Sequence, residues 1–221
     1  MAIQVQGNSG VAMEVEAGTR AQRIVPRHFD IGALGAYVYG GFTGVLPAAL
    51  GANSEIFQFR WVDATRLAII RKVRISASVS TTFFAAGVPV QIDLVKASGW
   101  TGQGTLGTAV TIAASLKRRT SMGSSLVGAG DIRIATTAAL GAGTKSLEAN
   151  SLSAIVAAGP TANPGTIIAP GTVLWQAEVG DGEHPLILAQ NEGFVIHSVA
   201  VPITGTWQAA ITVDWSEVTS Y

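Results

Sequence analysis

The sequence of 221 residues contains no cysteine and few charged residues. The absence of cysteine excludes disulfide scaffolds, thiol catalysis, iron–sulfur clusters and thiolate zinc sites. Charged residues make up 13% of the chain, about half of the share usual in soluble domains. The 14 basic and 14 acidic residues cancel, whereas proteins that bind nucleic acids usually carry a basic excess. We therefore expect no nucleic-acid partner.

Apolar residues are plentiful, at 48% of the sequence, and there are 26 glycines. This composition argues against intrinsic disorder. The small number of charged residues can cover the surface of a single subunit only thinly. Obligate interfaces between subunits are more apolar and poorer in charge than other protein surface. Residues 31–54 and 149–177 carry no charge at all. We expect these two stretches to be buried, largely against other chains.

Neither uncharged stretch is expected to cross a membrane, because glycines and prolines interrupt both before about 20 apolar residues accumulate. The first 20 residues lack a basic segment followed by an apolar run, which is the pattern of a secretory signal peptide. We expect synthesis in a cytoplasm and no membrane partner.

Alternation of apolar and polar residues predicts β-strands. In residues 56–62, Phe57, Phe59 and Trp61 share one predicted face, and residues 206–218 alternate in the same way. The other strand-like segments are 72–80, 88–97, 184–190 and 194–203. No segment keeps a helical apolar period for three turns. Short strands separated by turns predict an all-β fold, either an antiparallel sandwich or a barrel.

We divide the chain into an N-terminal arm or irregular segment, residues 1–55, and a β-sandwich domain, residues 56–221. The first part lacks a clear strand pattern and holds a Gly/Ala-rich stretch with three aromatic residues. These aromatic residues, Tyr37, Tyr39 and Phe42, are candidate contacts with a neighbouring subunit.

A glycine motif and two of the three histidines are the features most similar to known binding or catalytic sites. Residues 102–107, GQGTLG, match the phosphate-binding pattern G-x-G-x-x-G, but the β-branched residues that follow do not favour a helix. We interpret the motif as a hairpin loop. His184 and His197 could meet across a hairpin near Asp181 or Glu183, yet ordinary turn and strand positions explain both. We predict no cofactor, no metal site and no enzymatic activity.

Basic residues and tryptophans supply the remaining candidate contacts. One basic cluster includes Arg66 and Arg71, and the other is the triplet Lys117, Arg118 and Arg119. Both could bind acidic groups of a neighbouring subunit, or they could be solvated faces of edge strands, where basic residues deter unwanted pairing.

Of the five tryptophans, three lie on apolar strand faces and are expected in the core. Trp100, in the segment ASGWTGQG, is expected on an exposed loop, and it is the candidate ligand contact.

Six blocks of the sequence have a familiar pattern: AYVYGGFTGVLPAALGA (36–52), RWVDATRLAIIRKVRI (60–75), KRRTSMGSSL (117–126), IRIATTAAL (132–140), HPLILAQNEGFVI (184–196) and TGTWQAAITVDWSEV (204–218). Over about residues 36–221, these blocks resemble a family of tailed-bacteriophage virion proteins. The resemblance implies an antiparallel β-sandwich of jelly-roll type in a symmetric assembly of the virion, and it assigns no catalytic or binding residue.

This resemblance leads to two functional hypotheses. The first is a capsid decoration, cement or auxiliary head protein, made in the host bacterial cytoplasm. It would form homo-oligomers and contact major capsid or other virion proteins through apolar interfaces. The second is a tail- or fibre-associated sandwich that binds host surface glycans, with Trp100 as its contact.

Overall fold

The computed structural model describes residues 35–47, 50–80, 89–112, 116–118, 122–157, 165–177, 184–200 and 204–219. These residues form thirteen β-strands: β1 (Gly35–Phe42), β2 (Leu46–Pro47), β3 (Ser54–Trp61), β4 (Leu67–Val79), β5 (Val90–Gly102), β6 (Thr108–Val110), β7 (Ile132–Ile134), β8 (Thr144–Leu147), β9 (Ser153–Ala157), β10 (Thr166–Gln176), β11 (Leu186–Leu188), β12 (Glu192–Ala200) and β13 (Thr206–Val218). Within this part of the chain, no helix is long and apolar enough to cross a membrane.

The strands form two antiparallel sheets that pack face to face. The first sheet has the order β1-β13-β4-β10, with β2 beside β13 and β11 beside β4. The second has the order β6-β7-β3-β12-β5-β8, with β9 also beside β5. The predicted all-β sandwich is therefore confirmed.

The strand order also identifies the connectivity. We count β1, β3, β4, β5, β8 with β9, β10, β12 and β13 as eight main strands. The first sheet then contains the first, eighth, third and sixth of them, and the second sheet contains the second, seventh, fourth and fifth. Two interlocked Greek keys of this kind make a jelly roll.

Alternation within the long strands places one apolar face of each sheet in the core. Phe57, Phe59 and Trp61 of β3 are fully buried, as predicted from the sequence. On the first sheet, Trp207 and Trp215 of β13 are buried opposite them. Burying a large aromatic side chain contributes about 1.5–3 kcal/mol, so this layer supplies much of the free energy that holds the sheets together.

The predicted arm boundary at residue 55 is wrong for residues 35–47. β1 pairs with β13 along its whole length, from Gly35 opposite Glu217 to Phe42 opposite Ala210. The pattern AYVYG has a strand period, and it places Tyr37 and Tyr39 together on the inner face. Residues 1–34 lie outside the described residues, so their assignment as an arm stays a prediction.

Candidate functional site

Trp100 is not the exposed ligand contact predicted from the sequence. It lies in β5, is 1% exposed, and its indole Nε1 donates a hydrogen bond to the Gly102 carbonyl oxygen at 3.0 Å. It packs with Val95 and Val195 on the outer face of the second sheet. The Lys145 ammonium group lies 4.4 Å from the centre of its ring and covers it. The glycines around Trp100 suggested a loop, but the strand continues through them.

A polar cluster lies on the same outer face, beside Trp100. Gln58 Nε2 donates hydrogen bonds to Glu55 Oε2 at 2.5 Å and to the Gly141 carbonyl oxygen at 2.9 Å. The Lys145 ammonium group lies 2.9 Å from both carboxylate oxygens of Glu55. Gln58 is 1% exposed, and the Lys145 side chain is 2% exposed. We call Glu55, Gln58 and Lys145 the buried polar cluster.

A β-bulge in β3 creates this cluster. The register between β3 and β12 shifts, so that Phe57 pairs with Ile196 while Glu55 pairs with His197. In a regular strand, residues three apart point to opposite faces. Because the bulge adds one residue, Glu55 and Gln58 come to the same face. The sequence pattern carries no sign of this bulge.

His197 stands between two acidic residues in the second sheet. It pairs in register with Glu55 of β3 and with Asp93 of β5. Its Nδ1 atom lies 3.3 Å from Asp93 Oδ1, and Ser151 Oγ donates a hydrogen bond of 2.5 Å to Asp93 Oδ2. In a catalytic triad the serine would bond the histidine, whereas Ser151 bonds the acid, so the arrangement is not a triad.

His184 and His197, which could have met across a hairpin, were expected at ordinary turn and strand positions. His184 lines a cleft whose lining does not include His197, and Asp181 and Glu183 lie outside the described residues. Across the described ranges, no three His, Asp or Glu side chains are grouped so that they could hold a metal ion. The acidic neighbours of His197 come from strands far away in the sequence.

The candidate basic residues contact their own chain. Lys117 forms a β-bridge with Tyr37, and the backbone N–H of Arg118 donates to the Ala36 carbonyl oxygen at 3.1 Å. The Arg118 guanidinium group also pairs with Asp214. These contacts hold the segment that follows residue 116 against the edge strand β1. Arg118 keeps 45% of its side chain exposed, so its contact with a neighbouring subunit stays a prediction.

Of the other basic candidates, Arg66 directly precedes β4 and Arg71 lies within it. Arg66 and Arg71 are both half-buried. The Arg66 carbonyl oxygen accepts a hydrogen bond from the Trp61 indole at 2.8 Å, and the Arg71 carbonyl accepts one from the Ala177 backbone N–H at 3.1 Å. Arg119 lies outside the described residues.

A buried carboxyl group fastens the segment 122–127 to β13. Glu217 is 1% exposed and accepts hydrogen bonds from Ser125 Oγ at 2.5 Å, the Leu126 backbone N–H at 3.1 Å and the Trp215 indole at 3.1 Å. Burial raises the pKa of Glu217, and these hydrogen bonds partly oppose the rise because they favour the charged form.

Of the three aromatic interface candidates, only Phe42 is exposed. Tyr37 is 1% exposed, stacks on Trp215, and donates a hydrogen bond from its hydroxyl group to the Gly123 carbonyl oxygen at 3.0 Å. Tyr39 stacks on Phe57 in the core. Both tyrosines are therefore core residues, and their prediction as surface contacts is wrong. Phe42, at the end of β1, is 79% exposed.

The outer face of the first sheet holds a shallow depression of about 550 Å³ beside Phe42. We call the residues that line it the uncharged face: Phe42, Ser76, Ala77, Ser78, Thr166, Ile168, Pro170, Gln208, Ala209 and Ala210. None of them is charged, and most are small. They come from β1, β4, β10 and β13, and they include parts of both uncharged stretches of the sequence.

A second cleft, of about 390 Å³, lies where β10, β11 and β12 approach β5. Trp175 and His184 line it, together with the ion pair of Lys96 and Glu148, whose charged atoms are 2.8 Å apart. The Nε1 atom of Trp175 is buried without a hydrogen-bond partner. Trp175, rather than Trp100, is thus the tryptophan that lines a cleft.

Comparison with known proteins gives no relative. No protein-family model, no curated protein and no solved structure matches this chain.

Proposed function

We propose that this chain is a structural protein of a tailed-bacteriophage virion, a capsid decoration or auxiliary head protein that acts without enzymatic activity. It assembles as a homo-oligomer and binds major capsid or other virion proteins. The observation that supports this proposal is the uncharged face, where Phe42 is 79% exposed beside a depression lined by ten uncharged residues. Depletion of charge and enrichment of aromatic residues are typical of the centre of protein interfaces.

The distribution of exposed apolar side chains supports the same proposal. The large hydrophobic residues that are exposed in the described part of the chain are Phe42, Val45, Leu106, Leu147, Val156 and Val173. Four of the six lie in the two uncharged stretches that we expect to be buried against other chains. Exposed apolar patches on a folded domain mark interaction surfaces. The jelly roll adds little, because capsid, lectin and enzyme domains all use it.

The test is the mass of the purified protein in solution, measured by light scattering during size-exclusion chromatography. We expect an oligomer. Ala210→Arg places a cation in the uncharged face and should weaken association at least tenfold. The matched control is Leu106→Arg, at a site that is 61% exposed and lies outside both uncharged stretches and the uncharged face, and it should leave the oligomer intact. A monomer, or equal effects of both variants, contradicts the proposal.

Attachment to particles tests the role in the virion. Purified protein should bind to capsids that lack it, and deletion of residues 1–35 should weaken that binding. Binding that the deletion does not change would contradict an arm in this segment.

The cleft at Trp175 favours the alternative function, a tail- or fibre-associated sandwich that binds host glycans. A half-buried aromatic ring beside the charged side chains of Lys96 and Glu148 suits a sugar, which offers both an apolar face and hydroxyl groups. A glycan array probed with the wild-type protein and with Trp175→Phe tests this function. Binding that depends on Trp175, with a few copies at one vertex of the particle, would favour the tail over the head.

A further inference from the structure

The buried polar cluster brings an amine and a carboxamide to the same oxygen atom. Glu55 Oε2 accepts a hydrogen bond from Lys145 Nζ at 2.9 Å and another from Gln58 Nε2 at 2.5 Å. Lys145 lies on β8 and the other two residues on β3, at the opposite side of the second sheet's centre. One carboxylate thus holds a nucleophile and a leaving group side by side.

We propose that Lys145 and Gln58 become joined by an intramolecular isopeptide bond, with Glu55 as the proton carrier. Lys145 Nζ attacks Cδ of Gln58, and the bond between Cδ and Nε2 breaks. The product is an amide between the two side chains, which links β8 to β3 covalently.

Glu55 balances the protons of this reaction. It takes a proton from the Lys145 ammonium group, which frees the lone pair of Nζ for attack. In the tetrahedral intermediate it delivers this proton to Nε2, which leaves as ammonia, and it then takes the second proton of the former amine and passes it to the departing ammonia. The net change is the loss of one ammonia molecule, and the reaction needs no oxidant, cofactor or nucleotide. Holding both groups in place raises their effective concentration by several orders of magnitude.

The burial of Lys145 eases the loss of its proton. Burial lowers the pKa of Lys145, and its partner Glu55 only partly opposes this effect. The Trp100 ring covers the amine at 4.4 Å, and Glu55 is 6% exposed. Exclusion of water strengthens the electrostatic interactions within the cluster and suppresses competing hydrolysis of the amide.

The contacts of Gln58 hold its leaving group, the nitrogen Nε2, in place. Both polar contacts of the amide are made by Nε2, with Glu55 and with the Gly141 carbonyl oxygen. The buried oxygen Oε1 has no hydrogen-bond donor. At Gly104, a Cβ atom would lie 2.0 Å from this oxygen, so only glycine leaves room for the amide as it stands. Lys96 also forms an ion pair, with Glu148, but 38% of its side chain is exposed, in contrast to that of Lys145.

The wild-type protein tests the proposal without any substitution. Intact-mass spectrometry of the purified, denatured chain should show the loss of one ammonia molecule. Because an asparagine can also lose ammonia, protease digestion should in addition yield a branched peptide that joins Lys145 to Gln58. A full mass, or an ammonia loss that maps elsewhere, overturns the proposal.

Variants then separate the roles. Lys145→Arg and Glu55→Gln should both restore the full mass, the first because the nucleophile is removed and the second because the proton carrier is removed. Lys96→Arg is the matched control, and its chain should keep the branched peptide. A branched peptide that persists in Glu55→Gln contradicts the role of Glu55.

Discussion

Phe59 and Trp215 meet edge to face between the two sheets, with ring centroids 5.4 Å apart and planes inclined by 72°. Phe59 also stacks on Phe194 of the neighbouring strand, and Trp215 stacks on Tyr37 of β1. The contact therefore connects an aromatic pair of the second sheet with an aromatic pair of the first. It lies at the centre of the sandwich, where both residues are fully buried.

Phe59→Ala should lower the free energy of unfolding by about 3–5 kcal/mol, because it removes this contact and leaves a cavity that the sheets cannot close. Urea denaturation followed by tryptophan fluorescence measures the change. Leu106→Ala is the control, since Leu106 is 61% exposed and lies outside the uncharged face, and its truncation should change the stability by less than about 0.5 kcal/mol. Equal losses in the two variants would contradict this description of the core.

Gly193→Ala should also destabilise the fold. A Cβ atom there would lie 2.2 Å from the Phe59 carbonyl oxygen and 2.9 Å from the Trp100 ring. The carbonyl group cannot move without disturbing the pairing of β3 with β12, and the Trp100 ring is buried on β5. We expect a loss of about 1–3 kcal/mol. Gly123→Ala is the matched control, because a Cβ atom there would have no neighbour within 4 Å. Thermal unfolding of both variants makes the comparison.

The long strands of the sandwich were predictable from the sequence, because the alternation of apolar and polar residues within each strand indicates which face is buried. In β3 the alternation of Phe57, Phe59 and Trp61 is confirmed, and in β13 that of Trp207 and Trp215 is confirmed. β1 was missed because three of its eight residues are glycines, which hide the alternation of its two tyrosines.

The buried polar cluster was not predictable, for two physical reasons. A regular strand would place Glu55 and Gln58 on opposite faces, and only the bulge opposite His197 brings them together. Lys145 is 90 residues away from Glu55 in the sequence, so no pattern within a short segment could indicate the contact. Trp100 was assigned to a loop because the chain around it is rich in glycine. Its burial was not predictable either, because Lys145, which covers its ring, comes from a distant part of the sequence.

The ion pair of Arg60 and Asp131 should contribute more to stability than the exposed pair of Lys96 and Glu148. The Arg60 and Asp131 side chains are 11% and 3% exposed, with charged atoms 2.6 Å apart, and Gln103 also donates to Asp131. Asp131→Asn leaves the guanidinium group buried without its counter-charge, and we expect a loss of about 3–5 kcal/mol.

Glu148→Gln is the matched control for Asp131→Asn. Its side chain is 49% exposed, so water screens the pair and we expect a loss below about 1 kcal/mol. Chemical denaturation at low salt measures both variants. A loss in Asp131→Asn as small as that in the control would contradict the importance of the buried pair.

Glu217 should make stability depend on pH in the direction opposite to that of a typical paired carboxylate. Burial raises its folded-state pKa above the ordinary value of 4.5, so the folded chain keeps this proton at a pH where the unfolded chain has lost it. The free energy of unfolding therefore declines as the pH rises from 4.5 through the raised folded-state pKa, and is constant above it. Each tenfold increase in proton affinity on folding adds about 1.4 kcal/mol to this decline.

Glu217→Gln should remove this contribution, because the amide has the same shape and does not titrate. We therefore subtract the pH profile of the variant from that of the wild-type protein, each measured by chemical denaturation, so that carboxyl groups common to both cancel. The difference should favour the wild type most at low pH and decline as the pH rises. A difference that grows with pH would mean that the hydrogen bonds from Ser125, Leu126 and Trp215 outweigh burial and hold Glu217 in its charged form.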